Sequence, residues 1–193
     1  MGLGFSKGGD FKPYVSYNAK AGKLSQKKND VDTDINLPVS FVADFAKIKT
    51  GWYYYATGQA PQVVHNPSLS VKTPRPAGDG ADGKPLYKEG FTVDFFSPSA
   101  FGGVVEFSSS SMLVREAINV LYTAYEDGLA ANPGMLPVVE LSGTAKSVGK
   151  HGTNYAPVFK IVKWVARPSE FDTAQAANQS AATPTQQKAV SEF

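Results

Sequence analysis

Aromatic rings and lysines interleave in the segment V-S-F-V-A-D-F-A-K-I-K-T-G-W-Y-Y-Y, residues 39 to 55. Side chains on a strand alternate with a period of two, so an unbroken strand from Phe45 to Tyr55 would put Phe45, Lys47, Lys49, Tyr53 and Tyr55 on one face. Ala46, Ile48, Trp52 and Tyr54 would share the other, which has the makings of a core. Ammonium groups set among flat rings are the chemistry that holds a polyanion with stackable bases: the lysines meet phosphates and the rings meet base faces. Strands are also rich in aromatics for purely structural reasons, and lysines blunt sheet edges. Gly51 is a candidate bulge, which would reverse the facing of Trp52 to Tyr55.

Catalytic and metal-binding chemistry finds no comparable foothold. The chain has no cysteine, which removes thiolate nucleophiles, disulfides and cysteine-based zinc sites. His65 and His151 fall in separate predicted loops, without the nearby partner that a metal-binding histidine needs. Asp30, Asp32 and Asp34 have the spacing of a calcium loop, but Ile35 stands where glycine is required and Phe41 where the bidentate glutamate belongs. Gly78, Gly80 and Gly83 match a dinucleotide-binding register in form only, because Asp79 and Asp82 would repel a pyrophosphate and no strand-to-helix context surrounds them. In G-T-A-K-S-V-G-K (143–150) the glycines are one residue too far apart for a phosphate loop, and His151 replaces the magnesium-binding hydroxyl. The expectation is a binding protein: no enzyme, no cofactor and no metal.

Charge is distributed unevenly along the 193 residues. The net charge is only +2, but residues 1 to 28 carry Lys7, Lys12, Lys20, Lys23, Lys27 and Lys28 against the single acid Asp10. After Ser169 the sign reverses, with Glu170, Asp172 and Glu192 against Lys188. A basic start and an acidic end suit a nucleic-acid partner. No apolar run approaches the roughly 20 residues that span a bilayer, and residues 1 to 10 lack the apolar stretch of a secretory signal, so no membrane is expected.

The elements that must position these residues are mostly strands. Pro13 to Ala19, a turn at Ala21-Gly22 and K-L-S-Q-K-K form a predicted hairpin with a lysine-rich tip, followed by a solvated acidic turn over 29–36. Gln62 to His65 continues strand structure before Asn66-Pro67. Residues 66–90 are an excursion dominated by Pro, Gly, Asp and Lys. Gly90 to Phe96 and Gly103 to Phe107 are strands. A serine run then offers N-caps to one helix, Met112 to Asp127, in which Val114, Ile118, Leu121, Tyr122 and Tyr125 make one apolar stripe. Leu136 to Ala145 and Tyr155 to Ala166 are the last strands, flanking a basic loop, Lys146 to Asn154. The composition beyond Pro168 cannot bury enough apolar surface to fold.

The order predicts a mainly β fold: a five-stranded, OB-fold-like Greek-key barrel with one helix between the third and fourth principal strands. Residues 1–10 form a flexible N-terminus, 11–168 the nucleic-acid-binding domain and 169–193 a disordered tail. In that fold two loops flank the binding face, here taken as Lys20 to Lys28 and Lys146 to His151. The candidate phosphate contacts are therefore Lys20, Lys23, Lys27, Lys28, Lys47, Lys49, Lys146 and Lys150, with His151 beside them. Trp52, Tyr53, Tyr55 and Tyr155 are the candidate stacking rings, and Trp164 is assigned to the core.

F-V-A-D-F-A-K-I-K-T-G-W (41–52), G-Q-A-P (58–61), F-G-G-V-V-E-F (101–107) and H-G-T-N-Y-A-P-V-F-K-I-V-K-W-V-A-R-P (151–168) resemble a group of bacteriophage single-stranded DNA-binding proteins. The resemblance runs from about Asp10 to Pro168. It implies sequence-independent coating of single-stranded DNA during phage replication and recombination, in the cytoplasm of an infected host cell. It also implies recruitment of replication proteins through an acidic, aromatic-ended tail, here only A-V-S-E-F, ending Glu192-Phe193. A homo-oligomer is compatible with the sequence. Two rival readings use the same residues: a protein-interaction or virion structural module, with the rings as core or interface, and a single-strand annealing recombination protein.

Overall fold

A computed structural model describes residues 12–28, 31–56, 59, 61–149 and 152–174. The chain opens with a meander of β1 (Tyr14–Asn18), β2 (Lys23–Lys28) and β3 (Val31–Ile35). β4 (Val39–Ala43), a 3-10 turn (Phe45–Lys47) and β5 (Lys49–Tyr54) make up the central stretch, and β6 (Gln62–His65) precedes the excursion. Then come β7 (Lys88–Ser97), the short α1 (Pro98–Phe101), β8 (Gly103–Ser109), α2 (Met112–Gly128) and the hairpin of β9 (Met135–Gly149) and β10 (Gly152–Ala166).

These strands form one mixed sheet among the described residues, in the order β10-β9-β4-β7-β8-β1-β2-β3, with β5 beside β7 and β6 outside β5. Every neighbouring pair is antiparallel except β1 with β8. β7 lies in the middle because alternate residues, Phe91, Val93 and Phe95, are apolar and buried. Phe95 stacks on Phe41 at 4.1 Å and on Phe107 at 5.0 Å. The stripe of α2, Val114, Ile118, Leu121 and Tyr125, closes over this layer, and each such side chain contributes about 1.5–3 kcal/mol by leaving water. Trp164 of β10 stacks on Tyr125 at 5.7 Å.

The sheet is not closed, and it has ten strands where five principal ones were expected. Three further differences from the sequence expectation have physical reasons. First, the central stretch is two strands. Ala43 pairs with Phe95 and Lys49 with Thr92, so residues 44–48 face only 93–94 and the 3-10 turn is extruded. The extrusion lets Phe45 bury itself edge-on to Tyr122. Second, the acidic segment that looked like a turn includes an exposed strand, β3, held by β2 through a pairing that brings Lys27 opposite Asp32. Of the basic segment 146–154, residues 146–149 and 152–154 likewise belong to hairpin arms, with Gly149 paired to Gly152.

Third, the body of the fold continues past Pro168. Residues 170–174 are helical, and Phe171 is fully buried against Phe96. The Arg167 guanidinium forks onto the buried Asp44 carboxylate at 2.6 and 2.7 Å. It also lies over the Phe171 ring. The expected flexible N-terminus (1–10) and the tail from residue 175 onward lie outside the described residues.

Candidate nucleic-acid interface

Register decides which side chains share a surface, because directly opposed residues point to the same side of a sheet. On β5 and β7, Lys49 opposes Thr92, Gly51 opposes Gly90 and Tyr53 opposes Lys88. Thr92 opposes Ser108 of β8, and Asp94 opposes Glu106. Glu106 is level with Tyr14 of β1, which opposes Lys27 of β2. One outer face therefore carries Lys49, Tyr53, Lys88 and Glu106, and continues across Tyr14 to Lys27. The ladder runs without a break through Gly51, so no bulge reverses β5.

Gly90 makes room for a ring, and Gly51 for the close approach of β6. A Cβ on Gly90 would meet Cδ2 of Tyr53, and one on Gly51 would meet the Val64 carbonyl. Tyr53 thus sits over bare backbone, with its hydroxyl 2.7 Å from Thr92 Oγ1. Tyr55 stacks against it at 6.3 Å with the rings 15° apart, and donates to Ser108 Oγ. This corrects the expectation for Tyr53: it is 1% exposed, and it is Tyr55, 46% exposed, that offers a ring to solvent. Tyr53 is the support beneath it. Burial raises both phenols above the ordinary tyrosine value, so both remain neutral hydrogen-bond donors.

Charge on this face is mixed. Lys12 binds Asp94 at 2.6 Å and lies 3.9 Å from Glu106. Burial pushes the Glu106 carboxyl up, opposed by Lys12 and Lys49 and reinforced by Asp94. His65, opposite Gly51 and 6.1 Å from the Tyr53 ring, is pushed down by burial and then by Lys49. Both shifts reflect partial removal from water.

The remaining expected residues divide. Lys47 leaves the face: it lies in the extruded turn and pairs with Asp172 at 3.2 Å. Lys23 pairs with Asp34 at 2.7 Å, and Lys20 is exposed in the β1–β2 turn. Lys28 is on the opposite side of β2 from Lys27. Tyr155 opposes Lys146 and lies against the β1–β2 turn, where its amide donates to the Ala19 carbonyl at 2.7 Å. Trp52 points away from Tyr53 and donates its indole N–H to the Thr73 carbonyl. Lys150 and His151 lie outside the described residues.

Lys12, Tyr14, Lys88, Asp94 and Glu106 were not among the site residues expected from the sequence. Lys88 had a signal: K-E-G-F-T-V-D read at period two gives Lys88, Gly90, Thr92 and Asp94 as the polar side of β7. Among the described residues, no group of three or more His, Cys, Asp or Glu side chains could hold a metal, and no helix is long and apolar enough to cross a membrane. No protein-family model, curated protein or solved structure matches the chain, so its own side chains carry the functional argument.

Proposed function

We propose that this chain binds single-stranded DNA without regard to sequence on the outer face of β5, β7 and β8, as a phage replication and recombination protein of OB type. The observation that carries the reading is the Tyr55 ring, exposed and backed by Tyr53, on the same face to which the register assigns Lys49 and Lys88. A backed ring loses little freedom when a base stacks on it, and ammonium groups on the same face suit the phosphates of the strand.

The strand order supports the OB part of the proposal. Taking β4 and β5 as one interrupted first strand, β7, β8, β9 and β10 are the other four, and α2 lies between the third and fourth. Where a closed barrel would join β8 to β10, β1 runs beside β8 and touches β10. In this correspondence the loop after the first strand is residues 55–87, and not the Lys20–Lys28 hairpin.

Anisotropy of a labelled oligo-dT, read between about 50 and 200 mM salt, tests the proposal. Three phosphate contacts, from Lys27, Lys49 and Lys88, predict a log–log slope of about −2. Tyr55→Ala should cost about 1–3 kcal/mol, with Tyr55→Phe near wild type. Duplex DNA, whose bases are already stacked, should bind more weakly. No binding at high protein concentration would favour an interaction module instead, and a flat salt dependence would remove the lysines from the mechanism.

A further inference from the structure

The excursion builds a second cationic surface next to the first. Residues 66–87 fold back over the end of β5: Trp52 Nε1 donates to Thr73 O at 2.7 Å, Asn66 Nδ2 to Thr50 Oγ1 at 2.9 Å, and Tyr87 lies against Tyr54 with ring centres 5.7 Å apart. The result is a hollow of about 390 Å³ with Trp52 and Tyr87 in its walls. Arg75, Lys84, Lys88 and Arg115 line it, against one acid, Glu89.

That acid is already engaged. Lys72 at 2.9 Å and Arg115 at 3.1 Å hold it, and with Lys72 as the larger influence its carboxyl lies below the usual range. Lys84 pairs with Asp82 in the open, while Arg75 and Lys88 have no ion-pair partner among the described residues. Aromatic walls and surplus positive charge in one recess fit a nucleotide unit, base against ring and phosphate between cations. The larger adjoining groove, about 660 Å³ between β5 and α2, adds Glu116 and Glu126, which oppose a phosphate there.

Lys88 belongs to both surfaces. It opposes Tyr53 on the outer face and also lines the hollow. We infer that a single strand lying on the outer face continues round the start of β7 into this hollow, with Lys88 holding the phosphate at the crossing, Arg75 and Lys84 the next, and Trp52 taking a base. The inference rests on the single-stranded DNA reading and extends it to the excursion, to which the sequence assigned no binding residue.

The test uses the full chain, labelled oligo-dT of about 6 and about 16 nucleotides, spanning the usual footprint of one such domain, and unlabelled oligo-dT for emission. Arg75→Ala with Lys84→Ala alters two exposed excursion residues and leaves the core alone. The longer oligomer, which also reaches Arg75 and Lys84, should bind wild type with a salt slope of about −3.5 and the double variant about fivefold more weakly with the slope of about −2 of the three outer-face contacts. The shorter one should bind it as it binds wild type. Unlabelled oligo-dT should quench tryptophan emission, and Trp52→Phe should abolish the quench, because Trp164 is stacked on Tyr125. Unchanged affinity and slope in the double variant, or quenching that survives Trp52→Phe, would end the path at the outer face while leaving the outer site standing. Failure of wild type to bind either oligomer would overturn the single-stranded DNA reading, and this inference with it.

Discussion

Glu106 is the side chain on the outer face that most directly opposes a bound phosphate. Burial raises its pKa, so the folded chain holds this proton more tightly than the unfolded one. Its contribution to stability is therefore complete below the ordinary glutamate range and is lost as pH rises through the raised value. DNA binding should follow the same sign: acidification neutralises the carboxylate, and the face becomes more attractive to phosphate. His65 acts in the same direction, gaining charge only below its depressed value. Glu106→Gln should bind oligo-dT about threefold more tightly at neutral pH, the effect of one charge worth about 0.6 kcal/mol at some 7 Å through water. Its affinity should change less than that of wild type on acidification, and adding His65→Gln should flatten the remainder. Identical pH profiles for wild type and Glu106→Gln would put Glu106 off the path of the strand. Alternation along the sequence was enough to group Lys49, Tyr53 and Tyr55. It could not show that Tyr53 is covered, because the cover comes from Tyr55 and His65 and the room beneath from Gly90, a residue on another strand.

Between elements, the pairing of greatest consequence joins the end of β10 to the kink between β4 and β5. Asp44 is 1% exposed, and the Arg167 fork supplies both of its charged hydrogen bonds. Removing one partner of such a pair strands a charge in a place water does not reach, which costs about 3–5 kcal/mol. Arg167→Ala should therefore lower the unfolding free energy by that amount, read from urea titration as a lower midpoint at unchanged slope, and Arg167→Lys should recover only part of it, since an ammonium cannot make the two parallel bonds. A loss below about 1 kcal/mol would mean that water reaches the carboxylate. Nothing local announces this contact, as the partners are 123 residues apart. Elements whose own pattern is decisive were legible: β7 from its alternation, and α2 from its apolar stripe at helical spacing. The strands over 146–149 and 152–154 were not, because exposed strand arms extending past the core carry the same polar residues as a loop.

At the scale of the molecule, strand order was partly legible and closure was not. The succession of long strands around one helix followed from turn residues and periodicity, whereas the partner of β8 depends on where the N-terminal hairpin comes to rest. Its position is fixed by a small seam. Tyr17 donates its hydroxyl to the Tyr155 carbonyl at 2.9 Å, the Tyr155 amide donates to Ala19, and Gly22, at φ 65°, lets the turn approach the Tyr155 side chain. Burial raises the Tyr17 phenol to about 12, so it stays a donor across the neutral range. Tyr17→Phe removes one hydrogen bond, about 1 kcal/mol, and should speed hydrogen exchange at the Tyr155 amide about fivefold while amides in β7 keep their protection. Equal acceleration in β7 would mean that the seam opens only when the whole sheet does, and no acceleration at Tyr155 would mean that the hairpin is held by β8 alone. The first pattern alone makes the β1–β2 turn a separable flap, able to move Lys20 and Lys23 relative to Tyr155 and Lys146 without disturbing the Tyr53–Tyr55 stack.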